Sequence, residues 1–275
     1  MTEQKILLSV AIITKNEEER LPDCLKSVSF ADDIVVVDSG SADRTLEIAK
    51  GFGCRVFMEE WKGYAKQKQT AVDYAEKNWV LILDADERVT LELKKEIIEK
   101  IALNSELQAQ NFQNPPSPSF VKGGRGGAAG FYVPRKNFFL GRWIKHGGWW
   151  PDYTVRLFRK DASYVEEREV HEKVIVKGPV GCLKNPLEHY TYRTISDFIK
   201  KMENYSTLSA KEILSKNPQP SSVSLVFKML VSPVFTFLKM LLIKQGFRDG
   251  IRGFMLAILY SFYTFLKYAK AWEKS

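Results

Sequence analysis

Three stretches of the chain are almost uninterrupted runs of apolar, β-branched residues: Leu7–Ile13, Ile34–Val37 and Val80–Leu83, with Cys54–Met58 a weaker fourth. Each is too short for a helix, and continuous rather than alternating hydrophobicity is what a strand buried on both faces requires. Helical spacing lies between them. Asn16 is placed to cap a helix carrying Leu21, Leu25 and Val28, with Glu19 returning the capping contact. Asp43 begins a second helix with Leu46, Ile48, Ala49 and Phe52. A third runs from about Gly63 to Lys77, and a fourth follows Thr90. Alternating strands and helices predict an α/β, Rossmann-like fold with a mostly parallel sheet flanked by helices.

In such sheets ligands sit beyond the C-terminal ends of the strands. The residues after each run are polar and acidic: Thr14-Lys15-Asn16-Glu17-Glu18, then Asp38-Ser39-Gly40-Ser41-Ala42-Asp43, then Asp84-Ala85-Asp86-Glu87. If the strand persists past Asp84, its two-residue period points Asp84 and Asp86 to one side. Two hard oxygen ligands suit Mg²⁺ or Mn²⁺ bridging a diphosphate. The competing reading is a solvated turn in which Asp86 or Glu87 caps the next helix, and Asp38 has the same alternative as a turn residue before Gly40.

Beyond the first hundred residues the pattern changes. Leu107–Gly130 is rich in Gln, Asn, Pro, Ser and then Gly, and is expected to be a mobile insert. Its glycines follow no apolar strand and lack a Gly-Lys-Ser/Thr ending, which argues against a phosphate loop. Trp143, His146, Trp149, Trp150 and Tyr153 form an aromatic cluster that serves equally as a sugar-stacking wall or as a hydrophobic patch under a loop. Asp152 is placed either to contact an acceptor hydroxyl or to cap a turn after Pro151. The tail has two apolar stretches, Met229–Leu238 and Gly253–Leu266, each bounded by Lys or Arg. Neither reaches the roughly 20 residues of a spanning helix, and Pro233 is expected to interrupt the first. Helices lying in a membrane interface are favoured over a helical pair packed on the protein or in a homodimer.

Charge sharpens that division. The 275 residues carry a net charge of +8, and between Val223 and Ser275 eight Lys/Arg face two Asp/Glu, so +6 of it lies in the tail. Basic residues bordering apolar segments fit anionic headgroups and do not resemble a nucleic-acid reading module. Three scattered cysteines exclude a disulfide framework and a cysteine zinc module. The polar Met1–Lys5 start lacks a signal-peptide layout, so a reducing, cytosolic setting is expected.

Four ordered motifs, Ser9–Leu21 (SVAIITKNEEERL), Val35–Thr45 (VVVDSGSADRT), Gly63–Ala71 (GYAKQKQTA) and Leu81–Glu87 (LILDADE), together resemble family 2 glycosyltransferases of the GT-A fold. Gly141–Arg159, Val170–Glu172, Glu188–Tyr190 and Gly246–Gly253 resemble the lipopolysaccharide-core β-glucosyltransferase subgroup. The resemblance implies nucleotide contacts from Thr14, Asn16, Glu17 and Asp84, with Asp38 reading a uracil base and Ser39 standing where many relatives carry a second Asp. It implies Lys68 near the diphosphate, against a solvated helix lysine as the plain alternative. It implies Asp86 as the direct metal ligand, and His189 approaching the metal or diphosphate, against a packed histidine. Inverting transfer needs one carboxylate to take the acceptor's proton. His171-Glu172 resembles the family's Glu-Asp pair, which implies Glu172, against an exposed charge beside the run Glu166-Glu167-Arg168-Glu169 as the plain alternative. Trp149, Trp150 and Asp152 become acceptor contacts.

The expected organisation is a catalytic domain over residues 1–192 and a basic, amphipathic helical appendage over 193–275. The expected activity is metal-dependent transfer of a hexose, glucose by preference, from a UDP-sugar to a lipopolysaccharide-core or other lipid-linked glycan, at the inner face of a bacterial inner membrane. A sugar-nucleotide nucleotidyltransferase is the alternative. It would carry a Gly-rich, basic loop after the first strand, where this chain has Thr14-Lys15-Asn16-Glu17.

Overall fold

The structure is a computed structural model describing residues 7–113, 127–167 and 172–275. The chain resolves into two compact units. Of the described residues, the first comprises 7–113, 127–135, 153–167 and Glu172–Glu188, and the second Lys136–Asp152 and His189–Ser275. The Trp-rich segment therefore groups with the tail helices.

The first unit opens with β1 (Leu8–Thr14), α1 (Leu21–Ser27), β2 (Asp33–Asp38), α2 (Thr45–Gly51), β3 (Arg55–Met58), α3 (Tyr64–Tyr74), β4 (Trp79–Asp84), β5 (Glu87–Val89) and α4 (Leu91–Gln113). Strands β3-β2-β1-β4 lie side by side and all pair in parallel, with Thr14 opposite Asp38 and Ile13 opposite Asp84. Both faces are covered: Leu8, Val10, Ile12, Leu81 and Leu83 pack one way, Ala11, Val35, Val37, Val80 and Ile82 the other. This is the arrangement that continuous apolar runs require. Beyond them come β6 (Gly130–Phe139), β7 (Arg142–Trp143), β8 (Asp152–Arg159), β9 (Ser163–Glu166), β10 (Lys173–Val176), β11 (Val180–Cys182) and β12 (Leu187–Tyr192). β8 joins β4 antiparallel, and β9 and β10 form a separate hairpin. The result is the expected mixed α/β, mostly parallel architecture.

Several local expectations need correction. Asn16 does not cap α1, which starts at Leu21 without a side-chain cap. Asn16 has φ +55° instead, and its Oδ1 accepts the Ala42 N–H at 2.8 Å, bracing one strand-end loop against the next. β4 does not persist past Asp84: the chain turns at Ala85-Asp86 before β5, so two-residue alternation does not relate the two aspartates. Part of the expected insert is helical, because α4 continues to Gln113; the Gly-rich stretch to Gly126 lies outside the described residues.

The second unit holds α5 (Ile195–Lys216), α6 (Ser222–Leu238), a π-helical turn (Lys239–Ile243), a 3₁₀ turn (Gly246–Asp249) and α7 (Ile251–Glu273). α5 has the capping box its sequence offers: Thr194 Oγ1 accepts the Asp197 N–H at 3.0 Å and Asp197 returns the bond to Thr194 N at 3.1 Å. Pro233 does not interrupt α6. The helix runs through it and on into the π turn, so Ser222–Ile243 is one 22-residue segment, long and apolar enough to cross a membrane by length and composition. Packing against α7 offsets the cost of proline (about 3 kcal/mol), and the Pro233 carbonyl accepts a hydrogen bond from Ser261 Oγ at 2.8 Å.

Gly246–Gly253 has a structural explanation. A Cβ on Gly253 would lie 1.8 Å from the Gly246 carbonyl oxygen, so only glycine lets α7 cross the 3₁₀ turn so closely. Asp249, 5% exposed, accepts the backbone N–H groups of His146 at 2.8 Å and Lys145 at 3.3 Å. Arg252 donates two bonds of 3.3 Å to the Leu140 carbonyl.

Candidate active site

At the C-terminal edge of the parallel strands, Asp38 is fully buried. Its Oδ1 accepts from Gly40 N (2.9 Å) and Ser41 N (2.8 Å), and its Oδ2 from Thr14 Oγ1 (2.9 Å) and Ser41 Oγ (2.5 Å). Two carboxylate oxygens offer about four acceptor positions, and all four are filled. In this arrangement Asp38 staples β1 to β2, the turn role the sequence also offered it. Thr14, 4% exposed, gives its hydroxyl to that staple. Around it, the Asn16 N–H donates to Ser41 Oγ at 2.7 Å and the Glu17 N–H to Thr45 Oγ1 at 2.8 Å. The two loops form one rigid rim carrying Glu17, whose carboxylate accepts from Arg20 at 3.2 Å.

The end of β4 carries a chain of alternating charges. Lys68, on α3 and only 4% exposed, places Nζ 2.8 Å from Asp84 Oδ1 and 2.5 Å from Glu172 Oε1. Arg156, on β8, lies 2.8 Å from Asp84 Oδ2 and 2.5 Å from Glu87 Oε1, while Arg135 approaches Glu87 at 3.5 Å. The other Glu87 oxygen accepts the Asp84 N–H at 3.0 Å, so Glu87 locks the turn and does not cap α4. Lys68 is neither solvated nor alone. Burial works against its charge, but Asp84 above all, then Glu172, outweigh burial and raise its pKa. Burial likewise works against the Glu172 carboxylate, yet Lys68 holds its pKa below the ordinary value. The Arg156 guanidinium is raised in the same way, burial being overcome by Glu87 and Asp84.

The metal expected here must fit this donor set. Asp84 has an ion-pair partner on each oxygen, and Asp86, half-buried, sits in the turn that follows it. Among the described residues no group of three or more His, Cys, Asp and Glu forms a protein cage. Mg²⁺ and Mn²⁺ sites that use one or two carboxylates and complete themselves with substrate phosphate need no cage, so the residues fit.

The second unit gathers the remaining candidates. Asn137 is nearly buried: its Nδ2 donates to Asp152 Oδ2 at 2.9 Å and to the Trp149 carbonyl at 3.3 Å, and its Oδ1 lies 2.7 Å from His189 Nδ1. Thr191 Oγ1 is 3.0 Å from the same nitrogen. Trp149 is 8% exposed and packs with Phe139, Ile144, Phe198 and Leu256 in the core of this unit. Trp150 is half-buried and meets Trp143 edge-on at 5.2 Å, with Lys136 and Lys145 5.0 and 4.6 Å from the Trp143 ring. Asp152 is an oriented carboxylate, held by Asn137 rather than by a turn.

Glu87 was read only as a turn or capping residue, and Arg135, Arg156 and Asn137 were not anticipated. Arg156 left a readable trace, a charge inside the apolar run Val155–Phe158. The others gave none, because their partners are far away in sequence. Val170 and His171, which carried part of the motif at Glu172, lie outside the described residues.

A mostly parallel sheet with carboxylates and buried cations gathered at the ends of its strands is the frame of an α/β enzyme. The sequence pattern of Glycosyl transferase family 2 matches residues 9–163, more than half the chain, and the protein belongs to that family. Among its relatives, the lipopolysaccharide core biosynthesis glycosyltransferase LpsC of Rhizobium meliloti is 29% identical over 98% of this chain and 93% of its own. The uncharacterized glycosyltransferase RT0209 of Rickettsia typhi is 29% identical over 98% and 87%. Of solved structures, S. aureus TarS 1–349 in complex with UDP-GlcNAc aligns with a TM-score of 0.48 at 15% identity, over 98% of this chain and 90% of that one.

Proposed function

We propose that this glycosyltransferase is an inverting, metal-dependent hexosyltransferase. It moves a hexose, glucose by preference, from a UDP-sugar to a lipopolysaccharide-core or other lipid-linked acceptor at the cytoplasmic face of a bacterial inner membrane. The observation that carries the reading is the Glu172–Lys68–Asp84 ion-pair chain at the end of β4. Full-length kinship with a protein named for lipopolysaccharide core biosynthesis supports the acceptor class.

In this reading the ionised Glu172 takes the acceptor's hydroxyl proton as the oxygen attacks the anomeric carbon from the face opposite the diphosphate. The bond to the diphosphate oxygen breaks, and one carboxylate suffices because the leaving group departs as an anion. A divalent ion on Asp86 supplies charge neutralisation for that diphosphate. Lys68 keeps the base ionised and fixes its direction. Thr14, Asn16 and Glu17 line the nucleotide end, and Trp150, Asp152 and His189 serve the acceptor and the diphosphate. The basic helical tail keeps the enzyme at the surface where its lipid-linked acceptor resides.

The test is a panel of UDP- and GDP-sugars with the full chain, Mg²⁺ or Mn²⁺ and bacterial lipid extract, scoring nucleotide release. Release that requires UDP-glucose, metal and lipid together is expected. Release from GDP-sugars alone, or undiminished without metal, contradicts the reading.

A further inference from the structure

We infer that α6 and α7 together form a flat apolar plate that embeds side-on in one leaflet of an anionic bilayer, and that α6 does not cross it. The inference deepens the membrane attachment in the proposed function and rests on it.

On α6 the exposed residues Val223, Phe227, Leu230, Val234 and Leu238 recur every three or four positions, so they make one continuous stripe. On α7 the exposed Phe254, Ile258 and Phe262 do the same, and Trp272, five turns from Phe254, extends that stripe. The stripes adjoin across an open apolar groove of about 380 Å³, lined by Leu230 and Pro233 on one side and Ile258 and Phe262 on the other. Soluble surfaces rarely leave so large an apolar patch uncovered.

Charge selects the occupant. Lys228, Lys239, Lys244 and Arg248 are exposed in this region. The sole acidic residue from Val223 to Trp272 is Asp249, and it is buried against backbone N–H groups. Lys228 and Lys239 are three turns apart on one helix face, beyond the exposed Val231 and Phe235 that widen the stripe on that side. Apolar side chains in the acyl region with lysines at its edge are the pattern of a helix lying in an anionic interface.

The opposite side explains why α6 does not span, although its length allows it. α6 is held to α7 by Leu225, packed with Ala271, and by Thr236 and Thr264, whose hydroxyls lie 3.3 Å apart. α7 is locked in turn to α5. Lys270 Nζ donates to Glu203 Oε1 (2.7 Å), Ser206 Oγ (2.8 Å) and Thr207 Oγ1 (2.9 Å), and Ser209 bonds Tyr263 at 2.7 Å. α5 carries Lys200, Lys201, Glu203, Lys211, Glu212 and Lys216. Immersing the bundle would drag these charges into hydrocarbon, and stripping α6 away would forfeit its packing. Only the outer faces can enter lipid.

The test uses the full chain and vesicles of phosphatidylethanolamine with phosphatidylglycerol, compared with phosphatidylcholine alone. Flotation on the anionic vesicles is expected to fall about tenfold or more for Phe227→Glu on α6 and equally for Phe262→Glu on α7. Lys228→Gln with Lys239→Gln, which leaves the plate intact, should weaken binding to anionic vesicles only. Spin labels at Val223→Cys, Val234→Cys and Ile258→Cys, in a C54S/C182S background, should report one shallow depth. If the wild type floats but Phe262→Glu floats equally well, or Val234 lies at the bilayer centre with Val223 at one interface, the plate is overturned while attachment stands. If the wild type floats on neither vesicle, attachment itself fails. A lipid-independent dimer dissociated by Phe227→Glu would make a second copy the occupant and overturn the proposal.

Discussion

Lys68 Nζ stands 2.5 Å from Glu172 Oε1, joining residues 104 positions apart in sequence, with Lys68 almost wholly buried. The same ammonium lies 2.8 Å from Asp84, so a single cation compensates the candidate base and the first aspartate of the Asp-Ala-Asp turn. Breaking such a pair from one side leaves uncompensated charge in a poorly solvated place. Lys68→Met is therefore expected to lower stability by about 3–5 kcal/mol, measured by urea unfolding. A loss below about 1 kcal/mol would show the pair to be solvent-screened.

The same contact sets a pH dependence. The folded pKa of Glu172 lies below the ordinary 4.5, so the stabilisation from ionising it is complete above 4.5 and is lost as pH falls through the lowered value. The folded pKa of Lys68 lies above 10.5, so its contribution is complete below 10.5 and is lost as pH rises through the raised value. Stability from this pair should be flat across the neutral range, and the acid limb of kcat/KM should begin below 4.5. A limb near pH 6 in the wild type would contradict the assignment of Glu172.

Asp86→Ala is expected to weaken Mn²⁺ binding in the presence of UDP by tenfold or more, read by titration calorimetry, and to abolish transfer with Tm unchanged within about 2 °C. Asp84→Ala should differ by lowering Tm, since it takes one of two carboxylate partners from each of the buried Lys68 and Arg156. Equal Tm losses in the two variants would remove the distinction between a ligand and a structural carboxylate.

Gly253→Ala places a methyl 1.8 Å from the Gly246 carbonyl, a contact that backbone must move to relieve. A cost of about 1–3 kcal/mol is expected, seen as a lowered Tm for the full chain. An unchanged Tm would mean the crossing of α7 over the 3₁₀ turn is looser than described.

The sequence made the strands and their acidic ends legible because doubly covered parallel strands read as short, continuous, β-branched apolar runs with polar residues at their ends. It could not show that Asp38 turns inward: Asp38 follows an apolar run as the other acidic residues do, and its bonds depend on donors supplied by Thr14, Gly40 and Ser41 in three dimensions. The packing of Trp149 was hidden for a related reason: an aromatic cluster looks the same in sequence whether it opens to ligand or closes over Phe139 and Phe198. Pro233 carried a local rule that packing overrode. The Lys68–Glu172 contact was beyond reach, since nothing local records a pairing across so much chain.

The central claim is that Glu172 takes the acceptor's proton, and the most direct measurement is the kcat of Glu172→Gln beside its affinity for the UDP-sugar. Removing a positioned general base is expected to lower kcat by about 10²- to 10⁴-fold while donor affinity stays within about twofold. A kcat close to wild type would contradict the account and move the base elsewhere, with Asp152, oriented by Asn137, the first residue to try.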